Sequence, residues 1–143
     1  MSTVKDCLSH KPQRVIQVAP QAPVKTALEL MKEHRVRAVL VTESDRLVGI
    51  VSQGDCAIRA FLAGRDADHT PVADIMTPNP LSVKPGDPME LCMGLMATKG
   101  FRHLPVVAQG QLLGVISIGD VVKHRIAEIE TEHRALCDYI ATA

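Results

Sequence analysis

The sequence repeats itself, and this repeat constrains the fold more than any other feature. When the chain is shifted by 65 positions, residues 18–55 align with residues 83–120 without a gap, and twelve of the aligned pairs are identical. Unrelated segments of this length would share about two or three identities. Most of the remaining pairs match one apolar residue with another. The sequence therefore predicts two copies of one structural unit.

Each copy has the same order of predicted elements. A short strand ends at Val18 or Val83, and two prolines spaced three apart then lead into a helix whose apolar residues follow helical spacing. Two strands joined by a short turn come next, followed by a second helix. The predicted hairpin strands cover 38–42 and 47–51 in the first copy, and 103–107 and 112–116 in the second.

This order predicts a mixed α/β fold made of two βαββα units. One unit alone buries too little apolar surface, so we expect the two to pack face to face around an approximate two-fold axis. The predicted boundaries are 1–63 for the first repeat, 64–80 for a Pro-rich linker, 81–125 for the second repeat and 121–143 for an extended C-terminal helix.

Charge and composition exclude several classes of protein. Lys plus Arg and Asp plus Glu both number 16, so the chain lacks the positive field that nucleic acid or an anionic membrane surface attracts. Only 2% of the residues are aromatic, and the four cysteines lie too far apart for a disulfide framework or a zinc cluster. With neither a secretory leader nor a run of about 20 apolar residues, the sequence predicts a cytoplasmic protein.

Both copies carry the motif Gly-apolar-apolar-Ser-x-Gly-Asp, at 49–55 and 114–120, where a strand turns into a helix. One interpretation is structural, because Ser and Asp at this spacing form a capping box on the first helical turn. The other is a ligand site, in which Ser faces a phosphate at the helix start and Asp accepts hydrogen bonds from ribose hydroxyls. The residues alone leave both interpretations open.

The repeat and its motif resemble a tandem pair of CBS domains, also called a Bateman module, over about residues 4–125. The resemblance implies two clefts for adenine nucleotides (AMP, ADP or ATP), each combining the Ser and Asp of one repeat with a base pocket from the other. The implied first cleft contains Ser117 and Asp120 with Ile16, Val36, Arg37 and Ala38. The implied second cleft contains Ser52 and Asp55 with Leu81, Phe101, Arg102 and His103.

One motif departs from the family pattern. Small stand-alone members often have an arginine before the motif Asp and an aromatic residue after it, whereas this chain has Gly54 and Cys56. We therefore expect the Ser117 cleft to be the better site. Simpler roles remain open for other implied residues, namely surface charge for Arg37, a strand position for His103, and core packing for Val36 and Phe101.

The resemblance implies a regulatory or energy-sensing module that changes conformation when it binds its nucleotide. It requires no cofactor, and the sequence contains no Walker loop, nucleophile elbow or HExxH motif, so we expect no enzyme activity. A regulated partner would be a separate, unidentified protein. Two alternatives remain: a scaffold that binds no ligand, and a sensor of S-adenosylmethionine or a dinucleotide.

The C-terminal segment predicts a helix of about twenty residues, because neither Gly nor Pro follows Val121. Its apolar positions alternate in steps of four and three, as in a short heptad pattern. We expect this stripe to form a homodimer contact, with packing of the helix on its own domain as the alternative. The stripe consists of Val122, Ile126, Ile129, His133, Leu136 and Ile140.

Overall fold

The computed structural model describes residues 2–10 and 15–142, which fold into two α/β units. In chain order the first elements are α1 (Val4–Ser9), β1 (Gln17–Val18), α2 (Val24–His34), β2 (Ala38–Glu43), β3 (Arg46–Ser52) and α3 (Gln53–Asp55), which continues as a π-helix (Cys56–Phe61). A 3-10 turn (Val72–Asp74) is followed by β4 (Thr77–Pro78), α4 (Met89–Lys99), β5 (His103–Ala108), β6 (Gln111–Ser117) and α5 (Ile118–Thr142).

Each unit is built on an antiparallel hairpin. In the first unit, β1 runs parallel to β2, β2 and β3 form the hairpin, and β4 adds to the far edge of β3. The hairpin of the second unit is formed by β5 and β6. Its predicted leading strand is reduced to one parallel bridge between Val83 and Val106. The predicted mixed α/β class is confirmed.

The hairpin turns are shorter than predicted. Ser44 and Asp45 close the first hairpin, Gln109 and Gly110 close the second, and all four have positive φ angles between 52° and 78°. Two-residue turns of this kind match the right-handed twist of the strands they join. The strands therefore continue into residues that the sequence assigned to the turns.

Each unit has its own aliphatic core, and each core receives a segment from outside its repeat. Val4 and Cys7 of α1 are buried in the core of the second unit. Val72 and Ile75, from the predicted linker, are buried in the core of the first unit. Backbone hydrogen bonds fix both segments, such as Val4 N to Asp87 O at 2.9 Å. Part of the connection between the repeats is therefore structural rather than a free spacer.

The last helix is longer than predicted. Helix α5 begins within the second motif, at Ile118, and has 25 residues, of which Val121 is buried. Its apolar residues beyond Val121 are about half exposed, as at Val122 (50%) and Ile126 (51%). No helix within residues 2–10 and 15–142 has both the length and the apolar character to cross a bilayer.

Candidate functional site

The Ser and Asp of both motifs form capping boxes. Ser52 Oγ accepts a hydrogen bond from Asp55 N at 3.1 Å, and Asp55 Oδ2 accepts one from Ser52 N at 3.0 Å. The corresponding distances for Ser117 and Asp120 are 3.1 and 2.9 Å. These contacts confirm the capping interpretation, and they use one carboxylate oxygen of each Asp.

The capping contacts leave Asp55 able to face a ligand. Its other oxygen, Oδ1, lies 3.7 Å from Nε of Arg59, and the side chain is 16% exposed. Asp55 also lines a cavity of about 860 Å³ between the two units. This volume lies within the usual range of small-molecule sites. The capping role and the ligand role are therefore compatible at this motif.

This larger cavity, which we call the Ser52 cleft, brings together all six residues predicted for it. Its wall comes from both repeats, because the motif lies at the end of β3 whereas the opposing residues precede or begin strands of the second unit. The predicted residues that line it are Ser52, Asp55, Leu81, Phe101, Arg102 and His103. Phe101 is 39% exposed and thus contributes to the cleft wall rather than to a core.

The Ser52 cleft has an excess of positive charge. Arg37, Lys99 and Arg102 line it, and among the described residues Asp55 provides the single carboxylate of this lining. None of these three cations forms an ion pair with any residue in 2–10 or 15–142. Guanidinium groups suit phosphate because their donors match its oxygens in pairs. The cleft is therefore suited to an anion that also carries hydroxyl groups.

The second cavity, which we call the Ser117 cleft, is smaller. It measures about 360 Å³ and combines Ser117 with the four residues predicted opposite it, Ile16, Val36, Arg37 and Ala38. Asp120 does not line it, since the residues of the second unit that line this cleft are His103, Val115 and Ser117. Volume and charge thus favour the Ser52 cleft, although the sequence led us to expect the Ser117 cleft to be the better site.

Sequence reasoning missed two cations. Lys99 is the last residue of α4 and lines the Ser52 cleft, while Arg35 lines the Ser117 cleft. Arg35 follows α2 at the position that Gly100 takes after α4, 65 residues later. The ends of the two equivalent helices therefore lie at the clefts. The repeat itself carries a signal for this placement, because residues 35 and 100 are equivalent positions at the ends of the two helices.

A thiol follows the first motif but is not positioned for chemistry. Burial, and next the charge of Asp55, raises the pKa of the Cys56 thiol. A thiol with a raised pKa stays protonated near neutral pH and is a poor nucleophile. Within the described ranges, no three His, Cys, Asp or Glu side chains are grouped to hold a metal ion.

Comparison with known proteins agrees with this architecture. The sequence profile of the CBS domain matches residues 4–59 and 72–127. The chain is 35% identical over 127 residues to the CBS domain-containing protein YhcV of Bacillus subtilis, covering 89% of this chain and 88% of that one.

Solved structures show the same fold. A protein with CBS domains from Burkholderia ambifaria is 39% identical and superposes with a TM-score of 0.84, over 88% of this chain and 95% of that one. CBSX2, solved in complex with AMP, is 29% identical with a TM-score of 0.76, over 87% and 97% of the two chains. The predicted resemblance is confirmed: the chain belongs to the CBS-domain family and contains two CBS domains.

Proposed function

We propose that this chain is a cytoplasmic, non-catalytic regulatory CBS pair that binds an adenine nucleotide in the Ser52 cleft. The observation that carries the proposal is the cleft itself, a cavity of about 860 Å³ lined by Asp55 and by three cations that have no ion-pair partner among the described residues. Phosphate provides the negative charge that such a wall attracts, and ribose provides the hydroxyl donors that a carboxylate accepts.

Size and polarity support a nucleotide rather than a simple anion. Leu81 and Phe101 form an apolar part of the cleft wall, which suits the face of a base. The likeness to CBSX2, which was solved with AMP, supports an adenine nucleotide in particular. AMP is the probe we would use first, followed by ADP and ATP.

Regulation would follow from the position of the cleft between the units. A ligand that contacts both units favours one relative arrangement over others, by the difference in its affinity for them. A separate protein would then respond to the favoured arrangement. No cofactor is needed for this role, and the proposal assigns no catalytic residue.

The alternatives from the sequence can be tested against the same cleft. S-adenosylmethionine carries the ribose hydroxyls but no phosphate, so the three cations argue against it. A dinucleotide has both groups. Tighter binding of a dinucleotide than of AMP would identify the dinucleotide as the ligand. A scaffold without a ligand would bind its partner equally well with and without nucleotide.

Calorimetric titration with AMP tests the proposal. We expect saturable binding, and we expect Asp55→Asn to weaken it by tenfold or more, because a hydrogen bond to a charged group is lost. The amide oxygen of Asn can still accept the capping hydrogen bond from Ser52 N. Asp120→Asn is the matched control, because it makes the same change at the second capping box without altering the Ser52 cleft. If AMP, ADP and ATP all fail to bind, the proposed function is wrong.

We also propose that the chain forms a homodimer through α5. Ile118, Val122 and Ile126 lie on one face of α5 and are between 45% and 51% exposed. Together with Met93 and Met96 of α4 they line an apolar groove. Covering this face would remove apolar surface from water. Light scattering at tens of micromolar should give twice the chain mass, and Val122→Glu with Ile126→Glu should give the monomer mass. A monomeric wild-type protein would overturn this proposal.

A further inference from the structure

The Ser52 cleft and the Ser117 cleft are neighbours that share part of their walls. Arg37, Ala38, Ile50 and His103 line both cavities. The sharing follows from the arrangement of the units, because β3 and β6, the strands that lead into the two motifs, contact each other. Any ligand in one cleft therefore lies against side chains that the other cleft also uses.

Strand register explains why these residues reach both cavities. Ala38 pairs with Ser52 in the first hairpin, and His103 pairs with Ser117 in the second. Each of these residues thus lies beside the motif of its own unit and opposite the motif of the other unit. Arg37 precedes Ala38 and has an exposed side chain at the junction of the two cavities.

The charges of the two clefts depend on Arg37 to different degrees. The Ser52 cleft has Lys99 and Arg102 in addition to Arg37, whereas among the described residues Arg35 is the other Lys or Arg that lines the Ser117 cleft. An anion in the Ser52 cleft that pairs with Arg37 therefore removes one of the two guanidinium groups that the described residues provide to the Ser117 cleft. It also places its own negative charge beside that cleft.

We propose that the two clefts bind anionic ligands with negative cooperativity, transmitted through the shared Arg37 and His103 side chains. This inference rests on the proposed nucleotide binding and adds how the sites regulate each other. Occupation of the Ser52 cleft weakens anion binding in the Ser117 cleft by about tenfold, a coupling of ordinary size between two sites. The chain then responds to nucleotide over a wider concentration range than one site alone covers.

The experiment measures the affinity of the Ser117 cleft for AMP in two situations. In one the Ser52 cleft is occupied by AMP, and in the other it is blocked by a side chain. Leu81→Trp blocks the Ser52 cleft sterically without changing its charge, and Leu81 is 43% exposed and absent from the lining of the Ser117 cleft. We expect two AMP per wild-type chain by calorimetry, and one AMP per Leu81→Trp chain. That one AMP should bind about tenfold more tightly than the second AMP binds to wild type.

A matched pair of arginine variants tests the route of the coupling. Arg37 and Arg102 are equivalent in the repeat, but only Arg37 lines both clefts. Arg37→Met should weaken both binding steps and reduce the coupling, whereas Arg102→Met should weaken the first step alone. Circular dichroism and melting temperature would establish that all three variants are folded.

The remaining outcomes overturn the inference in distinguishable ways. If Leu81→Trp binds its single AMP with the same affinity with which wild type binds its second AMP, the two sites are independent. The proposed nucleotide binding would then still stand. If wild type binds one AMP and Leu81→Trp binds none, the Ser117 cleft is not a site and the coupling is wrong. If AMP binds to neither protein, the coupling and the proposed function both fail.

Discussion

The backbone N–H of Gln53 donates a hydrogen bond to the carbonyl oxygen of Arg37, with 3.0 Å between the two atoms. In the second repeat, 65 residues later, Ile118 N donates the equivalent bond to Arg102 O at 2.9 Å. In each unit, the first residue of the helix that begins within the motif therefore fixes the backbone of an arginine at the cleft. One of the orphan amides at the helix start is satisfied by the same bond.

This relationship explains why Ser52 of the first motif and Arg37, which lies 15 residues before it, line the same cleft. The N–H groups of Ser52, Gln53 and Asp55 are all used within the protein, by Asp55 Oδ2, Arg37 O and Ser52 Oγ respectively. A phosphate therefore depends more on the side chains of Arg37, Lys99 and Arg102 than on free amides at the helix start. Variants that change side-chain charge are accordingly the most informative tests.

Introducing a cation at Gly54 should strengthen anion binding in the Ser52 cleft. A Cβ at Gly54 would meet Ser52 Oγ at 3.5 Å, which is an ordinary contact, so the position accepts a side chain. We expect Gly54→Arg to tighten AMP binding by three- to tenfold, because a charge-assisted hydrogen bond to phosphate is added. Calorimetry against Gly54→Ala separates this charge effect from the effect of any side chain. Equal affinities for the two variants would contradict the prediction.

Two equivalent glycines should respond differently to alanine because different elements cover them. A Cβ at Gly49 would overlap Met76 Sδ and lie 3.1 Å from the backbone oxygen of Thr77. At Gly114 the tightest neighbour is Leu8 Cδ2, at 3.0 Å, and the end of a leucine side chain can move. We expect Gly49→Ala to cost about 1–3 kcal/mol of unfolding free energy and Gly114→Ala less than about 1 kcal/mol.

Urea unfolding of both glycine variants measures this difference. Gly49→Ala should cost less in a Met76→Ala background than in wild type, because the methionine overlap is gone, but it should still destabilise the protein, because the contact with Thr77 O remains. Equal destabilisation at Gly49 and Gly114 would show that the covering elements do not determine the cost.

Substitutions of the residues that follow the two equivalent helices, α2 and α4, should change stability in opposite directions. Arg35 has a φ of 55° and Gly100 a φ of 74°, so both lie in the left-handed region that favours glycine. We expect Arg35→Gly to raise the unfolding free energy by up to about 1 kcal/mol and Gly100→Ala to lower it by about 1 kcal/mol. Melting temperatures of the two variants should therefore move in opposite directions. Destabilisation by Arg35→Gly would mean that contacts of the arginine outweigh its backbone strain.

Much of the fold could be predicted because the repeat pairs each residue of 18–55 with an equivalent residue 65 positions later, and many of these pairs match one apolar residue with another. The order of elements followed from the repeat, whereas the six residues expected in the Ser52 cleft were implied by the resemblance to CBS pairs. The burial of Val72 and Ile75 could not be predicted, because their partners lie in the preceding repeat and no local pattern indicates an exchange of segments. The relative size of the clefts also depends on side chains, such as Lys99, that no motif includes.

The ion pair between Asp66 and His69 predicts a measurable shift in histidine titration. The hydrogen bond from His69 Nδ1 to Asp66 Oδ2, and next the charge of Asp66, raises the pKa of His69, while the same bond lowers the pKa of Asp66. The loop that carries them supports α2, because Lys25 N donates to Ala67 O and Val24 N donates to Thr70 O. Their stabilisation is present above the usual Asp pKa of about 4 and below the usual His pKa of about 6.5.

The stabilisation by this ion pair is lost at the two ends of the pH range for different reasons. As pH rises through the raised pKa of His69 the positive charge is lost, and as pH falls through the lowered pKa of Asp66 the negative charge is lost. Proton NMR titration of the His69 ring should give a pKa above about 6.5, and Asp66→Asn should return it toward that value. Asp68→Asn is the control, because Asp68 contributes least among the causes of the His69 shift. An unchanged His69 pKa in Asp66→Asn would show that the pair does not form in solution.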